Sequence, residues 1–141
     1  GRGDDYNNLT GQPLFPFGFG LSYTQFSYSD LQLDKKQINE SENLTVTFKL
    51  KNTGKYKADE VVQLYLHDEL ASVARPIKEL KGFQRITLNP GEEKEVTFTI
   101  TPDLLTMLDV HLKEVIEPGM FRMMIGSSST DIRLRELFEV K

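Results

Sequence analysis

The feature that most constrains the fold is a strict alternation of apolar and polar residues at positions 44–51, which read LTVTFKLK. Successive side chains of a β-strand point to opposite faces, so this pattern predicts a strand with one face in a hydrophobic core and one in water. Residues 96–100 repeat the pattern, with Val96, Phe98 and Ile100 separated by threonines. Both segments predict a sheet with one buried face.

The first strand changes its pattern part-way. In residues 26–33, Phe26 and Tyr28 share one phase, whereas Leu31 and Leu33 share the other. An extra residue in one strand, or a strand that changes sheets, produces such a flip, so we expect one of these near Asp30.

The remaining chain continues as short strands between turns. Residues 61–66 are apolar on both phases and predict a central strand, and 121–125 and 132–140 predict the last two strands. Residues 80–88 predict a weaker strand with Phe83, Ile86 and Leu88 in the core.

Two turn signals separate these strands. Asn89-Pro90-Gly91-Glu92 suits a type II turn, and Thr101 before Pro102 suits an N-cap and one helical turn.

About seven short strands with almost no helix predict an all-β antiparallel sandwich of the immunoglobulin-like or fibronectin III-like class. The chain has no cysteine and no tryptophan, which favours the fibronectin III-like branch.

Composition and charge limit the classes of partner and chemistry that the chain can have. The chain of 141 residues suits one domain, and its net charge of −4 argues against a nucleic-acid or anionic-membrane partner. No apolar run reaches membrane-spanning length, and the absence of cysteine excludes disulfides and a thiol nucleophile. Because the chain starts at Gly1 without an initiating Met or a signal peptide, we interpret it as a fragment or a processed piece of a longer protein.

The first 24 residues divide into two parts. Residues 1–14 are polar and turn-rich and predict a linker, whereas 15–24 carry four aromatic rings and two glycines as an aromatic lead-in to the domain at 15–141. The rings belong either to the domain's own core or to a contact with another part of the protein. Arg2-Gly3-Asp4 matches the tripeptide of integrin ligands, which leaves an adhesion module as a remote alternative.

The sequence predicts no catalytic residue, no cofactor and no metal site. His67 and His111 lack partners at metal-ligand spacing, and no phosphate-binding glycine loop or nucleophile elbow is present. With 21 acidic residues, the sequence alone does not identify a catalytic pair. The two carboxylates of a glycosidase must be fixed within a cleft, and a count of residues does not show this.

An ordered series of motifs resembles one family. The segment at 13–24, PLFPFGFGLSYT, is similar to the start of the C-terminal fibronectin III-like domain of glycoside hydrolase family 3 enzymes, the β-glucosidases and β-xylosidases. Further matching segments follow in order at 52–54, 59–65, 75–76, 78–83, 90–92, 117–119 and 125–129.

The resemblance implies an accessory role. In that family the catalytic carboxylates lie in upstream domains, so no catalytic residue carries over to this chain. The fragment alone is expected to be inactive, whereas the parent is expected to be a retaining β-glucosidase-type hydrolase of terminal β-linked sugars. The resemblance leaves the compartment undetermined, with a periplasmic or secreted parent as one expectation.

We expect this domain to buttress the upstream catalytic domains of the same chain. The interface candidates are Phe15, Phe17, Phe19, Tyr23, Val73, Arg75 and Ile77. An isolated fragment would then expose an apolar patch or hide it in a dimer. A carbohydrate- or polymer-binding module is the main alternative, because sugars stack on flat aromatic rings.

Overall fold

Two β-sheets pack against each other in the computed structural model, which describes residues 25–69 and 78–141. A 3-10 turn at Pro102–Leu105 follows the sixth strand. The strands are β1 Phe26–Leu33, β2 Gln37–Ile38, β3 Leu44–Asn52, β4 Ala58–Asp68, β5 Glu79–Leu88, β6 Glu93–Ile100, β7 Met107–Leu108, β8 Glu114–Val115, β9 Gly119–Ser128 and β10 Asp131–Val140.

The five-stranded sheet has the order β2-β10-β9-β4-β5, and the three-stranded sheet has the order β1-β3-β6. All pairs in both sheets are antiparallel except β2 with β10, which is parallel. Strands β7 and β8 form a separate small hairpin. The seven strands of eight or more residues confirm the predicted all-β sandwich.

The core lies between the inner faces of the two sheets. The alternation in β3 is confirmed, because Leu44, Val46, Phe48 and Leu50 are completely buried. Strand β4 lies between β5 and β9, as expected of a central strand. The other sheet meets β3 and β6 with aliphatic, Met and Phe side chains, among them Val62, Leu64, Leu66, Ile86, Leu88, Phe121, Met123, Ile125 and Phe138.

The predicted bulge in β1 is present. Asp30 has a φ of 55°, and the pairing of β1 with β3 shifts between Ser29 and Gln32. This shift lets Phe26, Tyr28, Leu31 and Leu33 all pack against the same core despite their opposite phases.

Both turn predictions place a turn correctly. Gly91 has a φ of 78°, and the Glu92 backbone N–H donates to the Asn89 carbonyl, as a type II turn requires. The 3-10 turn begins after Thr101, but the Thr101 hydroxyl donates to the Asp103 carboxylate instead of capping a backbone N–H.

Phe83 was wrongly predicted to lie in the core. Its side chain is 67% exposed, whereas Ile86 and Leu88 are buried. The reason is the two-residue period of a strand: Phe83 is an odd number of residues from Ile86 and so points to the other face. Gly82, on the inner phase, lies against the Phe98 ring.

Asn52 is the buried polar residue of the interior among the described residues. Its side-chain amide donates to the carbonyls of Tyr56 (2.8 Å) and Leu88 (3.0 Å), and its side-chain oxygen accepts from the Gly54 N–H at 2.9 Å. Its backbone pairs with the Gly91–Glu92 turn. One side chain therefore ties the ends of β3 and β5 to the turn between β3 and β4.

Candidate functional site

The seven interface candidates named from the sequence, at positions 15, 17, 19, 23, 73, 75 and 77, lie outside the described residues. The predicted linker at 1–14 and the aromatic lead-in at 15–24 also lie outside them. Their proposed contacts stay predictions. The described residues offer three other surfaces: the outer face of the five-stranded sheet, a polar cluster at one end of the sandwich, and the β7–β8 hairpin.

The outer face of the five-stranded sheet carries apolar side chains where a solvated sheet face would be polar. We call this surface the outer apolar face. Val61 on β4, Leu80 and Phe83 on β5, and Leu137 on β10 are its exposed members. Exposed apolar residues that cluster on one surface are typical of interaction sites.

Two further residues at the centre of this face are already buried. Tyr65 on β4 and Met124 on β9 are paired in register and are each 7% exposed, yet neither belongs to the core cluster between the sheets. Leu80 is paired with Tyr65 in register on the other side of β4. Burial raises the pKa of the Tyr65 hydroxyl, which donates to the Gln63 side chain.

A charged group borders the outer apolar face. The guanidinium of Arg122 lies 3.4 Å from the Glu69 carboxylate, and the His67 Nε2 lies 3.7 Å from that carboxylate. These side chains are partly exposed, so the pairs are solvated rather than deeply buried. The arrangement resembles the polar rim that surrounds the apolar centre of an interface.

A polar cluster lies at the opposite end of the sheet, where β1 begins. We call Tyr28, Glu60, Asp131 and Arg133 the polar bracket. The Tyr28 hydroxyl donates to Glu60 Oε2 at 2.8 Å, and Arg133 Nε donates to Asp131 Oδ1 at 2.8 Å. Arg133 also donates to the Phe26 carbonyl at 3.0 Å, and its guanidinium carbon lies 5.1 Å from the centre of the Tyr28 ring.

The polar bracket joins the two sheets. Tyr28 is on β1 of the three-stranded sheet, whereas Glu60 and Arg133 are on β4 and β10 of the five-stranded sheet. A cleft of about 580 Å³ adjoins it and is lined by Gln25, Thr53, Asp59, Glu60 and Arg133 among others. The bracket holds the first described strand against the other sheet.

The electrostatics of the bracket follow from burial and pairing. Burial raises the pKa of Tyr28 far above its ordinary value, and the neighbouring Glu60 adds to this effect. Burial also raises the pKa of Glu60, against the opposing hydrogen bond from Tyr28 and the charge of Arg133. Hydrogen bonds from Arg133 and Ser127 lower the pKa of Asp131. The pKa shifts in the bracket therefore arise from burial and from contacts between its own ionisable groups.

Within 25–69 and 78–141, no group of three or more His, Cys, Asp or Glu residues is placed to hold a metal ion. In the same part of the chain, no helix has the length and apolar character to cross a membrane.

The model of one family, described as a fibronectin type III-like domain, matches residues 60–129. That range includes most of β4 and all of β5, β6 and β9, and so contains strands of both sheets. The chain carries a fibronectin type III-like domain. Both the sandwich and the fibronectin III-like branch predicted from the sequence are confirmed.

Relatives of this domain are larger proteins. The chain is 49% identical over 130 residues to the thermostable β-glucosidase B of Acetivibrio thermocellus and 46% identical over 129 residues to a putative β-xylosidase of Formosa agariphila. Each match covers 92% of this chain and 17% of the relative. The chain thus spans about one sixth of the length of these curated relatives.

A solved structure agrees with the family match and with the match to these relatives. The β-glucosidase of Listeria innocua in complex with glucose matches 89% of this chain and 17% of its own, with a TM-score of 0.80 and 40% identity. The resemblance to glycoside hydrolase family 3 is confirmed as a match of this domain to one part of those enzymes.

Proposed function

We propose that this domain is the non-catalytic accessory domain of a glycosidase that hydrolyses terminal β-linked sugars, and that it buttresses the catalytic domains of the same polypeptide. The observation that carries the proposal is the 92% coverage of this chain against 17% of the β-glucosidase and β-xylosidase relatives. The domain matches a small share of enzymes with those names.

The outer apolar face supplies the physical basis for the contact. Interfaces between domains of one chain bury roughly 600–1,500 Å², and they need an apolar centre with a polar rim. Phe83, Leu80 and Val61 provide exposed apolar area, and Arg122 with Glu69 provides a charged border. Residues 70–77, which carry three of the sequence candidates, connect β4 to β5, whose Leu80 and Phe83 belong to this face.

The test uses a joined enzyme. This chain would replace the matching segment of the Acetivibrio thermocellus β-glucosidase, with which it is 49% identical. We expect the joined enzyme to unfold at a higher temperature than the same enzyme with the segment deleted. Equal stability and equal kcat/KM in the joined and deleted forms would contradict the buttressing role.

A matched pair of variants locates the interface. Phe83→Ala should lower the Tm of the joined enzyme, because it removes an aromatic ring from the outer apolar face. Tyr56→Ala is the control, since Tyr56 is 60% exposed but lies in the turn between β3 and β4. If both variants shift the Tm equally, the outer apolar face is not the contact.

A carbohydrate-binding module is the second candidate. The exposed ring of Phe83 beside the amide of Gln63 combines a flat apolar surface with a hydrogen-bonding group, as sugar recognition requires. Retention of the 141-residue chain on insoluble xylan or glucan, lost in Phe83→Ala and kept in Tyr56→Ala, would favour this candidate. Absence of retention would favour the buttressing role.

A further inference from the structure

The β7–β8 hairpin presents aliphatic side chains to solvent at its tip. We call residues 108–113 the hairpin tip. Val110 is 81% exposed, Leu112 is 78% exposed, and Leu108 is 51% exposed. In the sequence these three alternate with Asp109, His111 and Lys113. The alternation is that of a strand with one buried face, yet these side chains do not reach the core of this domain.

Leu112 also holds an unfavourable backbone conformation. Its φ of 60° lies in the left-handed region, where a residue with a Cβ is strained by roughly 1–2 kcal/mol. Glycine or asparagine is the usual residue at such a turn position. A leucine here costs stability and gains no burial, so the folding of the described residues does not explain it.

The backbone of the tip is nevertheless held by its own hydrogen bonds. Asp109 Oδ1 accepts from the backbone N–H groups of His111 (2.7 Å) and Lys113 (3.0 Å). The Asp109 N–H donates to the Lys113 carbonyl, and the Leu112 N–H donates to the Asp109 carbonyl, both at 3.0 Å. A preorganised tip loses little conformational entropy when it binds.

We propose that the hairpin tip inserts Val110 and Leu112 into an apolar pocket on the catalytic part of the same polypeptide, as a second contact that rests on the proposed function. A stable complex of separate chains buries about 800 Å² on each partner, and three aliphatic side chains supply roughly half of that or less. The tip is too small to hold a second copy by itself. A tethered partner needs far less area, because its effective concentration is high.

The share of the relatives that lies outside this chain provides such a tethered partner, since this domain makes up only 17% of them. The hairpin is also separated from the polar bracket: it leads into the start of β9, whereas Arg133 and Asp131 lie beside the end of β9. Contacts at the hairpin tip would therefore fix the end of the domain that is remote from the start of β1.

Thiol labelling of Leu112→Cys tests the insertion directly, because the chain has no cysteine of its own. Labelling of the peptide that contains residue 112 is followed by mass spectrometry, in the 141-residue chain and in the joined enzyme described above. We expect at least about tenfold slower labelling in the joined enzyme, whereas a Tyr56→Cys control labels equally fast in both. Equal labelling of position 112 in both forms would overturn the proposal.

Leu112→Gly gives a second, independent result. Glycine relieves the positive φ, so the variant should leave the Tm of the 141-residue chain unchanged or raise it. In the joined enzyme it should lower the Tm by about 2 °C or more, because it removes the inserted side chain. Asp30→Gly is the matched control: Asp30 has a φ of 55° but no apolar side chain, and its effect should have the same sign in both proteins.

The outcomes of these experiments distinguish the hairpin contact from the proposed buttressing role. If the Phe83→Ala effect is present but position 112 labels freely, the buttressing role stands and the hairpin contact is wrong. If the joined enzyme unfolds in independent transitions that match the separate parts, both are wrong.

Discussion

The inner and outer faces of the five-stranded sheet are formed by the same strands, but their apolar side chains differ in burial. On β4, Val62, Leu64 and Leu66 are at most 3% exposed and pack against the three-stranded sheet. Their neighbour Val61 and the adjacent Phe83 point to the other side and stay in solvent. Packing among the described residues explains the inner apolar residues, whereas it does not account for the outer ones. Apolar character in a strand therefore does not by itself mean core.

The largest expected effect tests this difference with one substitution on each face. Leu64→Ala should lower the free energy of unfolding of the 141-residue chain by about 2–5 kcal/mol, because it leaves a cavity in a close-packed core. Phe83→Ala should change it by only about 0.5 kcal/mol, as is usual for exposed positions. Urea unfolding followed by circular dichroism measures both. A large loss in Phe83→Ala would mean that the outer apolar face belongs to the fold itself.

The sequence predicted the inner face well because one side of each strand meets a single continuous core. The alternation at 44–51, the bulge at Asp30 and the Gly91 turn all follow from local rules of strand period and turn geometry. Phe83 was wrongly placed in the core although it lies three residues from Ile86, an odd number, and so points to the outer face. The phase alone would have placed it correctly.

Other features could not be predicted from local pattern. Strand β2 consists of Gln37–Ile38 within a polar stretch; it pairs with β10, and Ile38 is buried. The polar bracket brings together residues more than 100 positions apart, such as Tyr28 and Arg133. The hairpin tip had a usable signal in its alternation at 108–113, but its isolation from the core required the three-dimensional structure.

The second-largest expected effect on stability concerns a buried polar side chain. Asn52 lies at the end of the inner face, and Asn52→Ala would leave the carbonyls of Tyr56 and Leu88 without its amide. We expect a loss of about 1–3 kcal/mol in the free energy of unfolding, since buried polar groups are costly when a partner is removed. Urea titration at neutral pH measures it, and Asn39→Ala, in an exposed turn, is the control. Equal small losses would show that water replaces the Asn52 contacts.

The smallest effect concerns Glu60, which lies in the polar bracket between the buried interior and the open cleft. Burial places its pKa in the folded protein above that in the unfolded chain. The folded protein then binds the proton more readily, so the Glu60 contribution to stability falls as pH rises through the window between the two pKa values. Above that window the ionised carboxylate destabilises the fold; below it the penalty is absent.

Glu60→Gln removes this pH dependence while keeping an acceptor for the Tyr28 hydroxyl. The difference in unfolding free energy, variant minus parent, should therefore increase from acidic to neutral pH, by less than about 0.5 kcal/mol because Glu60 is partly exposed and its charge is screened. Asp131 and Glu136 have lowered pKa values and lose stability as pH falls, but both proteins share them. Urea titrations in a pH series measure the difference. A decrease towards neutral pH would mean that attraction to Arg133 outweighs burial, and that the bracket behaves as a salt bridge rather than as part of the interior.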